Sequence, residues 1–138
     1  KVVTDLSMDD IDLAQADMIV LPGGMPGTTN LYADKRVTSA VRAMYEAEKY
    51  VAAICAAPSV ILGGMGLLKG RRATCYPGME DGMEGAEAVP ATCVTDGKII
   101  TACGVGGAVD FACALITALI SREKADEIAF SVVYHAAN

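Results

Sequence analysis

The chain of 138 residues has no tryptophan, two phenylalanines and a single histidine, His135. Its five cysteines are odd in number and include no C-x-x-C pair, so neither a zinc site nor a disulfide framework is expected. Basic residues are few and scattered: 11 Lys and Arg stand against 17 Asp and Glu, a formal net charge of −6. That balance argues against a nucleic-acid partner, which would call for cations clustered along a phosphate backbone. No apolar run is long enough to span a bilayer, and no signal peptide is expected. A reducing cytoplasm is the expected compartment.

What is present is 53% hydrophobic and 20% charged, which suits one soluble, alanine-rich globular domain with a real core. The stretch that organises it is Tyr50 to Leu62, YVAAICAAPSVIL. Tyr50 to Ile54 is a short unbroken apolar run, the pattern of a strand buried on both faces of a parallel sheet. The run stops at Cys55. Ala56 and Ala57 are small enough for a sharp reversal, and Pro58, with φ preset and no N–H, suits the first turn of a helix. Strand, nucleophilic side chain, tight turn and helix make a nucleophile elbow, which holds its side chain at the carboxyl end of the sheet in a strained conformation. A thiol there faces amide N–H groups that stabilise a thiolate and can bind an oxyanion. The competing reading is a buried core cysteine.

The rest of the chain reads as scaffold. Val2 and Val3 look like the end of a strand, and the chain starts so abruptly there that an N-terminally incomplete domain is expected over residues 1–138. Ser7 or Asp9 could cap a short acidic helix. Met18 to Leu21 is a buried strand ended by Pro22-Gly23-Gly24, a turn that permits φ > 0 and close backbone approach. Asn30 to Lys49 has one amphipathic periodicity, so a single crossover helix is expected, completing a βαβ unit. Arg71 to Tyr76 reads as a short strand, and the acidic Met79 to Ala88 as a solvated loop or frayed helix without the ligand spacing of a calcium loop. Asp96-Gly97 marks a β-hairpin. Gly104-Val105-Gly106-Gly107 opens an apolar helix whose core face is Phe111, Leu115, Ile116 and Leu119. The dinucleotide-binding spacing is missing there, so no cofactor is expected, and no metal. A last helix starts at Ser121 and carries Val132 and Val133.

Leu21-Pro22-Gly23-Gly24 and Ala53-Ile54-Cys55-Ala56-Ala57-Pro58, in that order and with matching flanks, resemble the DJ-1/PfpI (ThiJ) superfamily. The likeness extends through Thr74-Cys75-Tyr76-Pro77, the Asp96-Gly97 hairpin, the glycine-rich turn before Phe111 and Arg122 to Ala125. It implies a flavodoxin-like three-layer α/β sandwich with a mostly parallel sheet, usually a homodimer. It also implies Cys55 as nucleophile, Gly24 and Ala56 as oxyanion-binding positions, and Gly23, Tyr76, Pro77, Cys103 and Gly104 as pocket lining. The family's partner glutamate follows its first strand, a region this sequence does not include.

The implied activity is glyoxalase- or deglycase-like chemistry on α-oxoaldehydes or their adducts, with a small electrophilic carbonyl as substrate. The alternative is a redox sensor or chaperone that oxidises Cys55 without turnover. A cysteine peptidase or amidase fits less well, because Ala56 stands where the peptidase branch has a histidine and His135 is followed by Ala136 and Ala137. Some members place a histidine where Tyr76 stands, and tyrosine is a poor base at neutral pH. Cys75 and Cys103 both follow expected strands near the same edge, so either, Cys103 first, is a candidate to resolve an oxidised Cys55.

Overall fold

A computed structural model describes residues 2–135. Four strands form the main sheet in the order β1-β2-β6-β5, where β1 is Met18–Leu21, β2 Tyr50–Ile54, β5 Cys93–Asp96 and β6 Ile99–Ala102. β1, β2 and β6 run parallel, and β5 returns antiparallel on β6. Two further short strands, β3 (Arg72–Ala73) and β4 (Glu87–Ala88), pair in parallel as a separate ribbon.

The apolar run of β2 is divided between two cores because successive side chains in a strand point to opposite faces. Val51 and Ala53 join Val37, Val41 and Met44 on one side. Ala52 joins Ile100, Ala102 and Phe111 on the other. Helix α2 (Lys35–Glu46) supplies the first layer and α3 (Ala108–Leu119) the second. The result is a flavodoxin-like sandwich with helices on both faces of a mostly parallel sheet.

Several local expectations are corrected. Val2 and Val3 are exposed and outside any strand. The crossover is two helices, α1 (Gly27–Ala33) and α2, because Asp34 is extended between them and its carboxylate accepts the Arg36 N–H at 2.9 Å as an N-cap. The strand expected from Arg71 to Tyr76 shrinks to β3, and the acidic loop after it contains a 3-10 turn at Glu80–Gly82 and then β4. Leu119 is exposed rather than core, since Ala114, Leu115 and Ala118 are the α3 residues that join Phe111 against the sheet. Helix α4 (Arg122–Ser131), capped by Ser121 Oγ on the Lys124 N–H at 3.1 Å, ends before Val132 and Val133, both exposed. His135 lies beyond its end and is exposed.

The hairpin turn is shifted by one residue: Asp96 pairs with Ile99 inside the ladder, and Gly97, at φ 58°, is the first residue of the two-residue loop. Freed from the turn, the Asp96 carboxylate accepts the Arg72 N–H at 2.8 Å and so ties the hairpin to β3.

Candidate active site

Cys55 follows the last residue of β2 and has φ 66°, a left-handed conformation that costs an L side chain roughly 1–2 kcal/mol. Two backbone hydrogen bonds hold it there. Its N–H donates to the Ala102 carbonyl at 2.9 Å, and its carbonyl accepts the Tyr76 N–H at 2.8 Å. The neighbouring strand and the Tyr76 segment thus fix the angle from both sides, and the elbow that the sequence predicts is present. Cys55 as a residue is partly exposed.

The helix behind the elbow starts at Pro58 and stops at the glycines, as the sequence predicts. It is a single wide turn, Pro58–Gly63, with π-type hydrogen bonding. What the elbow offers a developing negative charge is therefore the local amides of its turn rather than a long helix dipole. Ala56, buried, makes no backbone hydrogen bond through its N–H among the described residues, and the same holds for the exposed Gly24. Gly24 has φ 87°, and its carbonyl accepts both the Thr28 N–H at 2.8 Å and the Thr28 hydroxyl at 2.7 Å. Thr28 is fully buried, so this turn is anchored to α1.

Gly23 makes the closest approach to the nucleophile. A Cβ there would stand 2.4 Å from Cys55 Cβ, 2.9 Å from the Ile54 carbonyl oxygen and 3.2 Å from Cys55 Sγ, so only glycine lets the two strand ends meet. Gly104, after β6, faces the same sulfur: a Cβ on it would lie 4.0 Å from Cys55 Sγ and 3.6 Å from Tyr76 Cδ2. The structure therefore gathers Gly23, Tyr76 and Gly104 around Cys55. Pro77 and Cys103 line a cleft of about 430 Å³ that also has Thr74, Cys75 and Thr92 in its wall.

The other thiols differ from Cys55 in surroundings. Burial pushes the Cys75 thiol up to about 11, helped by Glu80 and by Cys55 itself. Burial, with Asp110, does the same for Cys93, again to about 11. Cys103 Sγ would lie 3.3 Å from a Cβ on Gly107, at the Thr92 end of β5. Among the described residues no carboxylate is hydrogen-bonded to the Cys55 thiol, and no cluster of His, Cys, Asp and Glu could hold a metal ion.

One contributor escaped the sequence reading. Ser59 Oγ donates to the Met79 carbonyl at 2.7 Å, and this bond pins the segment after Tyr76 to the elbow helix. The signal was the pair Gly63 and Gly82: a Cβ on Gly63 would overlap the Gly82 carbonyl, and one on Gly82 would overlap Ser59 Oγ.

Comparison with known proteins agrees with this arrangement. Residues 1–118 match the model of the DJ-1/PfpI family. The chain is 39% identical over 136 residues to Protein DJ-1 homolog A of Arabidopsis thaliana, covering 93% of this chain and 33% of that protein. It is 36% identical over 104 residues to a deglycase of Pyrococcus horikoshii, covering 73% of this chain and 61% of that one. The crystal structure of a DJ-1 superfamily protein from Salmonella typhimurium superposes with a TM-score of 0.89 at 34% identity, over 97% of this chain and 73% of that one. The chain spans about a third of the length of the Arabidopsis relative. With the elbow geometry, the family match and the superposition all in agreement, this chain belongs to the DJ-1/PfpI family.

Proposed function

We propose that the protein acts on α-oxoaldehydes or their adducts, with Cys55 as the nucleophile. The observation that carries this reading is the strained φ of 66° at a partly exposed cysteine whose backbone is held on both sides. Strain on a reactive side chain, maintained by its surroundings, is the mark of a preorganised group. The sulfur adds to the aldehyde carbon, a C–S bond forms, and the carbonyl π pair moves onto oxygen. The N–H groups of Gly24 and Ala56 are the donors proposed for that oxyanion. The later proton transfer between the two carbons needs a base; the family resemblance assigns that role to a glutamate outside this sequence. The deglycase from Pyrococcus horikoshii supports the substrate class by similarity.

Steady-state turnover of methylglyoxal by the protein, set against Cys55→Ser, tests the proposal: turnover that depends on the thiol is expected, and equal rates would overturn it. The second reading, a redox sensor, is favoured by a partly exposed Cys55 that stands close to the buried thiol of Cys75. Mild peroxide followed by peptide mass spectrometry should then add oxygen at Cys55 first. The proposal also takes the chain as one domain that acts as a cytoplasmic homodimer, for which light scattering should return twice the chain mass. No helix among the described residues is long and apolar enough to cross a membrane.

A further inference from the structure

The space above Gly104 is not used by any step described so far. Gly104 has φ 154°, a region open essentially to glycine alone. The point its Cβ would occupy lies 4.0 Å from Cys55 Sγ and 3.6 Å from Tyr76 Cδ2. The nucleophile and an aromatic ring therefore both border the space over Gly104, where no side chain stands. The Tyr76 backbone is held beside it. Its N–H is bonded to the Cys55 carbonyl, and the chain beyond it is held to the elbow helix by Ser59.

The Gly23 backbone fills one flank of the sulfur so closely that a methyl would not fit. The Gly24 and Ala56 amides are assigned to the oxygen of the carbonyl. The substituent on an electrophilic carbon bonded to Sγ is left to extend over Gly104 toward the Tyr76 ring, which is 52% exposed and makes no hydrogen bond through its hydroxyl among the described residues. Val105, the residue after Gly104, is 92% exposed.

We propose that Gly104 and Tyr76 form a subsite for the carbonyl substituent that takes flat aryl groups in preference to methyl, with Tyr76 as the residue that sets this preference. The inference rests on Cys55 being the reactive nucleophile of the proposed function. A tyrosine ring meeting an aryl group edge-on or offset is worth about a fivefold preference beyond simple area.

The test uses two α-bromoketones, phenacyl bromide and bromoacetone, which differ only in that substituent. In each, the Cys55 sulfur attacks the methylene carbon, a C–S bond forms, the C–Br bond breaks, bromide leaves with the bonding pair and the thiol proton passes to buffer. Rates at Cys55 are read by peptide mass spectrometry, and the phenacyl-to-acetonyl ratio is divided by the same ratio for free glutathione, which removes intrinsic reactivity. The protein should exceed glutathione by about fivefold. Tyr76→Ala should bring the ratio close to that of glutathione, and Tyr76→Phe should preserve it, since the ring and not the hydroxyl is invoked. A wild-type ratio equal to that of glutathione, or one unmoved by Tyr76→Ala, overturns the subsite. If the ratios behave as expected while no α-oxoaldehyde is turned over, the proposed function fails and the subsite stands. If Cys55 reacts with neither reagent, the nucleophile reading falls and the subsite with it.

Discussion

Strands β2 and β6 run side by side in parallel, with Ile54 in register with Ala102. Each gives way to a backbone angle that L side chains avoid: φ 66° at Cys55, one residue past Ile54, and φ 154° at Gly104, two residues past Ala102. At the end of β6 the unusual angle falls on a glycine, which adopts it freely. At the end of β2 it falls on a cysteine, which does not. One turn is a solution to chain geometry. The other keeps a cost, and its compensation lies in the Ala102 carbonyl and the Tyr76 N–H that hold it. Two adjacent strand ends thus separate a conformational need from a chemical one.

The contrast can be broken most severely at Gly23. Gly23→Ala would place a methyl 2.4 Å from Cys55 Cβ and 2.9 Å from the Ile54 carbonyl oxygen, so a destabilisation of about 3 kcal/mol, two decades in the unfolding equilibrium, is expected by denaturant titration. Slower alkylation of Cys55 should accompany it.

Alkylation kinetics sharpen the comparison among the thiols. Cys75 and Cys93 titrate at about 11 against an ordinary 9.0, so near pH 8 their thiolate fractions are reduced about 100-fold. Iodoacetamide should modify Cys55 well before either. A raised value also means that the fold favours the protonated thiols. Their contribution to stability is complete below pH 9.0, the ordinary thiol value, and is lost as pH rises through about 11. Denaturant midpoints measured across that interval should fall, and those of the Cys75→Ala, Cys93→Ala double variant should fall less.

The strain at Cys55 predicts an inversion of an ordinary preference. Cys55→Gly should be more stable than Cys55→Ala by about 1 kcal/mol, although glycine is normally the less stable of the two. Equal stabilities, or alanine ahead, would mean that the positive φ carries no cost. The smallest effect is expected at Ser59. Ser59→Ala removes the bond to the Met79 carbonyl and should cost roughly 0.5–1.5 kcal/mol, with a modest change in Cys55 alkylation as the segment after Tyr76 loosens.

The elbow was legible in the sequence because it depends on short-range chemistry. An apolar run meets a small-residue turn and a proline, and the residue between them has few conformations left. The sheet was legible for the same reason, since Val51 and Ala53 alternate with Ala52 between two cores. The break at Asp34 was not, because helical spacing continues across it and only the reach of its carboxylate to Arg36 turns periodicity into a boundary. Ribbon β3-β4 was hidden by its length, two residues a side, in a stretch whose charges read as solvent-facing. Around the nucleophile, residue identities pointed to Gly23, Tyr76 and Gly104. The cleft that Pro77 and Cys103 share with Cys75 and Thr92 came only with three dimensions.

The amide and the carbonyl of Cys55 each answer to a segment far away in the chain, Ala102 on one side and Tyr76 on the other. An incompletely folded chain lacks both, and its cysteine would relax to an ordinary angle. Chemistry at this sulfur is then a late acquisition, reached only when distant parts have assembled, and its alkylation rate would report how much of a preparation is native.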